Sequence, residues 1–570
     1  MNHRSKVFIV LFFGCTMTLG MLAVPARAQE YFFTLHVILP EPRVSYTEVL
    51  KENLAEIGID LQLEVMEWGA VYDLLSSAEA PPFDEGGWDM AAYGLEVEPD
   101  PDFMSTRLAS YAWPPEGETW TRWNNGKVDA LFKEAGETTD FETKQEIYQE
   151  LFSMFYDEVP FIPIYQREAL MLFAPEVGDD GIEELAKWRP IVSDPPWDSQ
   201  WISVEGTDTF VFAEYFWYPN LIPVWFNYLT GMFGTLVRAD PDYEIVPDLA
   251  ESWEISEDLQ TYTFNLRSGV TWHDGEALTS EDVKFSIEVR MDPDLGSGMY
   301  STLINYVDYI ETPDNLTAIV HLTEPYGGFL YDMSRYANME ILPEHILGDV
   351  PPEDWRTSTW NTEQAPPGTG PWKFVEITED YLKLERNEDY YFDPPLMEYI
   401  VYKRIPEKSA AFAALQAGEV HYVDFFYGFE PDFPEIQQMA ADGEIKYATC
   451  VRLDIEGYVC NLEHPILGNK WVRKAISYAF PREDFIDDVM NGLGKPAKLM
   501  MPVDHWVEPT GLQIYEYDLD EARSALEKAG YKQEYIGEPV AWTFDPVWFA
   551  AGAVVGAAVI GIAAYLTRRK

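Results

Sequence analysis

Five side chains able to carry protons or bind metals crowd one short stretch, His273, Asp274, Glu276, Glu281 and Asp282 within HDGEALTSED. Such a cluster suggests either a metal site or an acid–base pair. The spacing favours neither. A single imidazole beside Asp-Gly-Glu, with turn residues at its centre, is a poor ligand set. The other histidines beyond the first 28 residues (His36, His321, His345, His421, His464 and His505) stand singly, with no H-x-x-x-H pair. Thr279-Ser280-Glu281-Asp282 reads instead as a helix start, with Thr279 as N-cap, Asp282 three residues on, and acids at the positive end of the helix.

Other catalytic signatures are missing. There is no G-x-S-x-G elbow, no phosphate-binding G-x-x-x-x-G-K-[ST] and no H-E-x-x-H. Chance carboxylate pairs are inevitable among 98 acidic residues, so a secreted acidic hydrolase stays as an alternative. Aromatic runs stand out more, at Tyr215-Phe216-Trp217-Tyr218 and Asp424-Phe425-Phe426-Tyr427-Gly428-Phe429. Rings with a few placed polar groups line clefts for small organic ligands, and they also fill cores. Trp217, Phe425 and Tyr427 are the cleft candidates from these runs.

The elements that must position these groups follow from periodicity. An aromatic and β-branched run at 31–40, apolar residues at helical spacing over 46–56, and the alternating IGIDLQLEVMEW form a β-α-β unit, which predicts a parallel sheet. An amphipathic helix over 141–159 leads into a second strand region. Residues 174–208 are acidic with weak periodicity and carry Pro195-Pro196, and so read as a linker. At 570 residues the chain exceeds what a single core organises, so two or three domains or subdomains are expected.

The two ends carry membrane signals. MNHRSK, an apolar run at 7–24 and Ala26-Arg27-Ala28 read as a signal peptide over 1–28, with the mature chain starting at Gln29. Residues 546–566 hold no charge and precede Thr567-Arg568-Arg569-Lys570, the pattern of a transmembrane helix with a basic cytoplasmic tail at 567–570. Residues 533–545 are then a spacer, and the bulk of the chain lies at the extracellular face of the cell membrane. The formal net charge of −59 repels nucleic acid and anionic lipid, and suits a strongly hydrated protein of a saline habitat. Cys450 and Cys460 flank a turn-like Asp454-Ile455-Glu456-Gly457, so they are either a disulfide between neighbouring strands or two reduced core thiols.

The stretch LAESWEISEDLQTYTFNLRSGVTWHDGEALTSEDVKFS (249–286) strongly resembles the signature of the family 5 extracellular solute-binding proteins, the oligopeptide, dipeptide and nickel receptors of ABC importers. LTEPYGGFL (322–330), ILPEHIL (341–347), PPGTGPWKFVE (366–376), LERNEDYYFDPP (384–395), LQAGEVHYVDF (415–425), WVRKAISYAFPREDFI (471–486) and YDLDEARSALEKAGY (517–531) follow in the family's order. Residues 29–173 resemble that family's C-terminal third, whereas 209–532 resemble its N-terminal two thirds. The order is that of a circularly permuted member whose old ends are joined through 174–208. A fusion of two receptors, or halves exchanged between molecules, would give the same order.

The resemblance implies an α/β type II periplasmic-binding-protein-like fold, two lobes plus an extra subdomain, and hinge closure without catalysis or cofactor. It implies an ABC permease with its ATPase subunits as partners and a peptide-like solute as ligand. Peptide-binding members hold the ligand ammonium with an acid in a tryptophan-containing region. The equivalent YGLEVEPDPD (93–102) keeps Asp-Pro-Asp but displaces the acid and lacks the tryptophan, leaving Tyr93, Glu96 and Glu98 as candidates. An oligosaccharide or a metal chelate is also open as ligand. A sensor ectodomain is a further alternative, and it would need a signalling partner.

Overall fold

A computed structural model describes residues 31–532, apart from 41–42, 97–99, 115–116, 139, 189–200, 216–219, 225–229, 242–243, 335–338, 425–427, 430–431 and 504. The expected signal peptide, the 533–545 spacer and the 546–566 membrane segment lie outside the described residues. Among the described residues no helix is long and apolar enough to cross a membrane.

The β-α-β unit forms as the periodicity predicts. Strand β1 (Phe33–Leu39), the helix Val44–Glu56 and strand β2 (Ile59–Val65) are consecutive, and Phe33 pairs with Ile59 through Leu39 with Val65 in parallel. β3 (Met90–Glu96) pairs in parallel with the other edge of β1. The helix Phe141–Glu158 begins where Asp140 accepts the Thr143 N–H at 2.9 Å, an N-cap that satisfies one of the free amides of the first turn. It leads into the long strand β4 (Phe161–Phe173).

The second lobe begins on β4 and continues through β5 (Thr209–Glu214), the small pair β6 (Val237–Ala239) and β7 (Ile245–Pro247), and β8 (Ala250–Ile255), β9 (Thr261–Leu266), β10 (Val307–Asp314) and β11 (Thr317–Leu322). The last four make their own antiparallel sheet in the order β10-β11-β9-β8. β12 (Trp372–Ile377), β13 (Tyr381–Arg386), β14 (Tyr399–Arg404) and the short β15 (Tyr422–Val423) return to the main sheet. β16 (Lys446–Cys460) leads back to the first lobe, where β17 (Gly494–Pro496) adds to β4. The main sheet therefore reads β12-β13-β14-β5-β15-β4-β16-β3-β1-β2 across both lobes.

Core packing divides along β4 and β16. Phe161, Ile162, Ile164 and Tyr165 of β4 pack with residues of 35–155 and 455–526, whereas Ala169 to Phe173 pack with residues of 174–450 and with Leu493. One lobe is thus continuous in sequence, 169–450, and the other is assembled from 31–168 and 451–532. The main chain passes between them on β4 and on β16. Both strands carry their polar residues at that passage, Gln166-Arg167-Glu168 in FIPIYQREALMLF and Arg452 with Asp454 in KYATCVRLDIEGYVC. Apolar ends anchored in two cores with a polar middle make a waist. The 174–208 segment does more than connect. It carries the helix Asp179–Trp188, a bridge between Val177 and Val204, and Ile182, Leu185 and Ile202 packed into the continuous lobe's core.

β16 corrects one expectation. Asp454 to Gly457 form no turn; the strand runs unbroken from Lys446 to Cys460. At about 3.3 Å per residue, Cys450 and Cys460 stand about 33 Å apart, far beyond disulfide reach. Both thiols are buried and reduced.

Candidate functional site

The sequence-level cluster at 273–282 resolves into structure. The His273 ring is fully committed, with Nδ1 accepting the Gly368 N–H at 3.1 Å and Nε2 lying 3.0 Å from the Gly370 carbonyl. Burial pushes its pKa down to about 4, only partly offset by the Gly370 carbonyl. A neutral imidazole tied at both nitrogens pins the 368–370 turn and has no atom left for a substrate. Asp274 pairs with His345 at 2.9 Å. Asp282 receives the Thr279 N–H at 2.9 Å at the start of the helix Ser280–Arg290, as the capping pattern predicts, and the Glu344 N–H at 3.1 Å besides. Among the described residues no group of three His, Cys, Asp or Glu side chains could hold a metal ion.

A different cluster forms at one edge of the main sheet. β2, β1 and β3 are parallel, so their carboxyl ends all point the same way. β16, antiparallel to β3, places Asp454 and Glu456 at that same end, beside the waist. In open α/β sheets ligands bind at the carboxyl ends of parallel strands, where successive loops diverge and leave a crevice. The loop after β1 supplies Arg43, the residues after β2 supply Trp68 and Tyr72, and the end of β3 supplies Tyr93.

An ion pair organises this edge. Arg43 donates from Nε and Nη2 to the two carboxylate oxygens of Glu456, both at 2.9 Å, and Tyr46 adds its hydroxyl at 3.4 Å. Burial opposes the Arg43 charge, but Glu456 outweighs it and the guanidinium pKa is raised. The pair crosses β3 at Gly94, where a Cβ would lie 2.6 Å from Arg43 Nη2 and 2.7 Å from Glu456 Oε1. Only glycine leaves room for it.

Rings pack around that pair. The Arg43 guanidinium lies 4.3 Å from the Trp68 ring centre and 5.7 Å from that of Tyr93. Trp68 meets Tyr93 edge-on at 5.4 Å, Tyr93 meets Trp120 at 4.9 Å, and Tyr72 meets Trp120 at 5.9 Å. Arg107 covers Trp120 from 5.5 Å and is held by Glu118 at 2.7 Å. Trp68 and Tyr72 remain 43% and 44% exposed, so the open side of the cluster presents ring surface to solvent. Rings oriented by buried neighbours, with charged groups fixed at their edges, suit binding of an organic solute and offer no arranged nucleophile or base.

Of the sequence-level candidates, Tyr93 sits in this cluster. Glu96 ends β3 with its backbone opposite Asp454 at the waist. Glu98, Trp217, Phe425 and Tyr427 lie outside the described residues. Arg43, Trp68, Tyr72, Arg107, Trp120 and Glu456 were missed. For Arg43 and Trp68 a signal existed, since Arg43 closely follows the predicted strand at 31–40 and Trp68 ends the next one.

A family model described as "Bacterial extracellular solute-binding proteins, family 5 Middle" matches residues 244–547, more than half of the chain. The chain belongs to this family. A putative ABC transporter peptide-binding protein of Brucella ovis is 31% identical over 317 residues, covering 55% of this chain and 58% of that protein. The oligopeptide-binding protein AppA of Bacillus subtilis is 29% identical over 304 residues, covering 53% and 54%. The chain thus spans little more than half the length of the curated relatives it matches. Among solved structures, NikZ of Campylobacter jejuni, in complex with Ni(L-His), aligns at 26% identity with a TM-score of 0.46, over 57% of this chain and 64% of that one.

Breaking a buried ion pair by removing one partner strands the other charge. Arg43→Met and Glu456→Met should each lower stability by about 3–5 kcal/mol, whereas the double substitution Arg43→Met/Glu456→Met should lose far less than the sum. Urea unfolding of the three variants checks this.

Proposed function

We propose that this family member is the extracellular receptor of an ABC importer, capturing a peptide-like solute by closing its lobes about β4 and β16. It then delivers the solute to a membrane permease driven by ATPase subunits. The observation that carries this reading is the placement of the aromatic cluster at the carboxyl edge of β2-β1-β3, immediately beside the two-strand waist. A ligand there lies where rotation of one lobe toward the other would cover it. The names of the Brucella ovis and Bacillus subtilis relatives support a peptide as cargo. The apolar 546–566 segment would hold the receptor at the outer membrane face.

The order of segments we read as a circular permutation of the family's chain. The helix Leu519–Lys528 ends near Tyr531, whose ring lies 5.6 Å from Phe32 and 4.8 Å from Phe33 at the start of β1. The helix and the strand that an unpermuted order would join directly are thus already in contact. At the other junction, β4 and β5 flank β15 in the same sheet, so the 174–208 segment spans a short gap. Permutation is tolerated where ends lie close together at the surface.

Two experiments test the two halves of the proposal. A panel of short peptides, oligosaccharides and metal chelates should include a peptide that raises the melting temperature, by about 2.7 kcal/mol of stabilisation at a hundredfold excess over Kd. Mass spectrometry should recover that peptide unchanged. Trp68→Ala and Tyr93→Ala should abolish the shift, read against each variant's own unliganded melt, which the lost ring packing lowers. Turnover, or no shift from any peptide, would contradict the receptor reading. Independently, a reordered chain of 201–532 followed by 31–188, which keeps Ile182, Leu185 and Ile202 in the core, should fold as a monomer with the same ligand shift, and an aggregate or an exchanged dimer would contradict permutation.

A further inference from the structure

The hairpin that joins β10 to β11 carries the chain's one N-x-[ST] triplet, Asn315-Leu316-Thr317. Asp314 pairs with Thr317, so Asn315 and Leu316 are the two turn residues, and both are exposed. Asparagine is common in such turns for two structural reasons: it tolerates the positive φ that tight hairpins favour, and its side chain bonds the backbone two residues on. Neither reason applies here. Neither Asn315 nor Leu316 takes a positive φ. The local bonds of the turn belong to Asp314, whose Oδ1 accepts the Leu316 N–H at 2.9 Å and whose Oδ2 accepts the Thr317 hydroxyl at 3.2 Å.

The main chain of the turn is held by its neighbours. The Asn315 carbonyl accepts the Ser280 N–H at 2.9 Å, the Leu316 carbonyl accepts the Leu266 N–H at 2.8 Å, and the Asp314 carbonyl accepts the Ser280 hydroxyl at 2.6 Å. Among the described residues the Asn315 carboxamide has no hydrogen-bond partner. The turn therefore stands without it. An exposed carboxamide with a fixed base and no part in the fold is available for chemistry from outside.

We propose that Asn315 is the acceptor of an N-linked glycan, donated by a sugar carried on a polyprenyl phosphate or pyrophosphate. The family is extracellular, and Asn-x-Thr on a surface loop of an exported chain is the pattern that N-glycosylation reads. The Asn315 amide nitrogen attacks the anomeric carbon of the lipid-linked sugar. A C–N bond forms there as the bond to the phosphate oxygen breaks, the phosphate leaves with the bonding electron pair, and the amide gives up one proton to a base of the transferase. Transfer to the emerging chain, before the hairpin closes, finds the Thr317 hydroxyl free as well. The finished glycan displaces no packed side chain and stands beside Leu316, which is 38% exposed. The turn belongs to the β10-β11-β9-β8 sheet and not to the main sheet whose edge carries the ring cluster. The inference is thus independent of the solute reading.

Full-length protein purified from its native membranes and cut with trypsin yields a peptide bounded by Arg290 and Arg335 that contains the triplet. Mass spectrometry should find this peptide carrying a glycan, with fragmentation placing the added mass on Asn315. Asn315→Gln and, separately, Thr317→Val, made in the same host, should lose the added mass entirely, whereas Thr317→Ser should keep it. Gln replaces a side chain that bonds nothing, and Val keeps the branched shape of Thr in β11, so both variants should fold and reach the membrane. An unmodified peptide as the sole form from native membranes would overturn the assignment. Added mass on Thr317, or added mass that survives both Asn315→Gln and Thr317→Val, would overturn it equally.

Discussion

The pairing of β4 with β16 is the constraint on which the rest of the structure depends. Each strand is anchored at one end in one core and at the other end in the second, so the geometry of this pair fixes how the lobes face each other. Midway the register shifts, and Arg452, Leu453 and Asp454 fall between the pairs Val451–Glu168 and Ile455–Gln166. A bulge bends the strand and takes backbone groups off the ladder. Gln166 compensates, donating its amide to the Arg452 carbonyl at 2.8 Å and accepting the Val503 N–H at 2.8 Å. A buried carbonyl left without a partner would cost about 1–3 kcal/mol. β17 adds a further strand at this point, pairing Gly494 with Arg167 and Pro496 with Tyr165, so any turn of one lobe against the other would have to be taken up at the bulge.

Site and waist are coupled through β16. Glu456 lies two residues beyond Asp454 at the bulge and forms the ion pair that seats Arg43 against Trp68 and Tyr93. A change of twist at the bulge therefore moves Glu456 and, through Arg43, the rings that would meet a ligand. Gly94 leaves the space for this pair to cross β3. The aromatic surface is thus positioned by the same strand that joins the lobes, which on the proposed function would tie solute capture to lobe geometry by direct contact.

Much of the fold was legible because local signals agreed with it. The β-α-β unit, the helix following Asp140 and the helix start at Thr279–Asp282 all form where periodicity and capping put them. β16 was misread because Asp-Ile-Glu-Gly has turn composition. Burial on both sides, and pairing with β3 and β4, hold it extended instead. The site was less legible. Tyr93 was found through its neighbourhood to Asp-Pro-Asp, but Arg43 and Glu456 are 413 residues apart in sequence, and no local pattern announces that they meet. The opening cluster of His273 and its acids shows the reverse case: residues of catalytic type, spaced closely, of which His273 pins a turn and Asp282 caps a helix.

The central claim is that two rigid lobes rotate about the β4–β16 waist to enclose a solute at the edge of β2-β1-β3. Crystal structures of the chain with and without a peptide that stabilises it test this most directly. The account predicts that each lobe superposes on itself to within about 1 Å, that the rotation axis passes through 166–168 and 452–455, and that the peptide contacts Trp68 and Tyr93. An axis elsewhere, or a peptide bound away from that edge with both lobes unmoved, would contradict it.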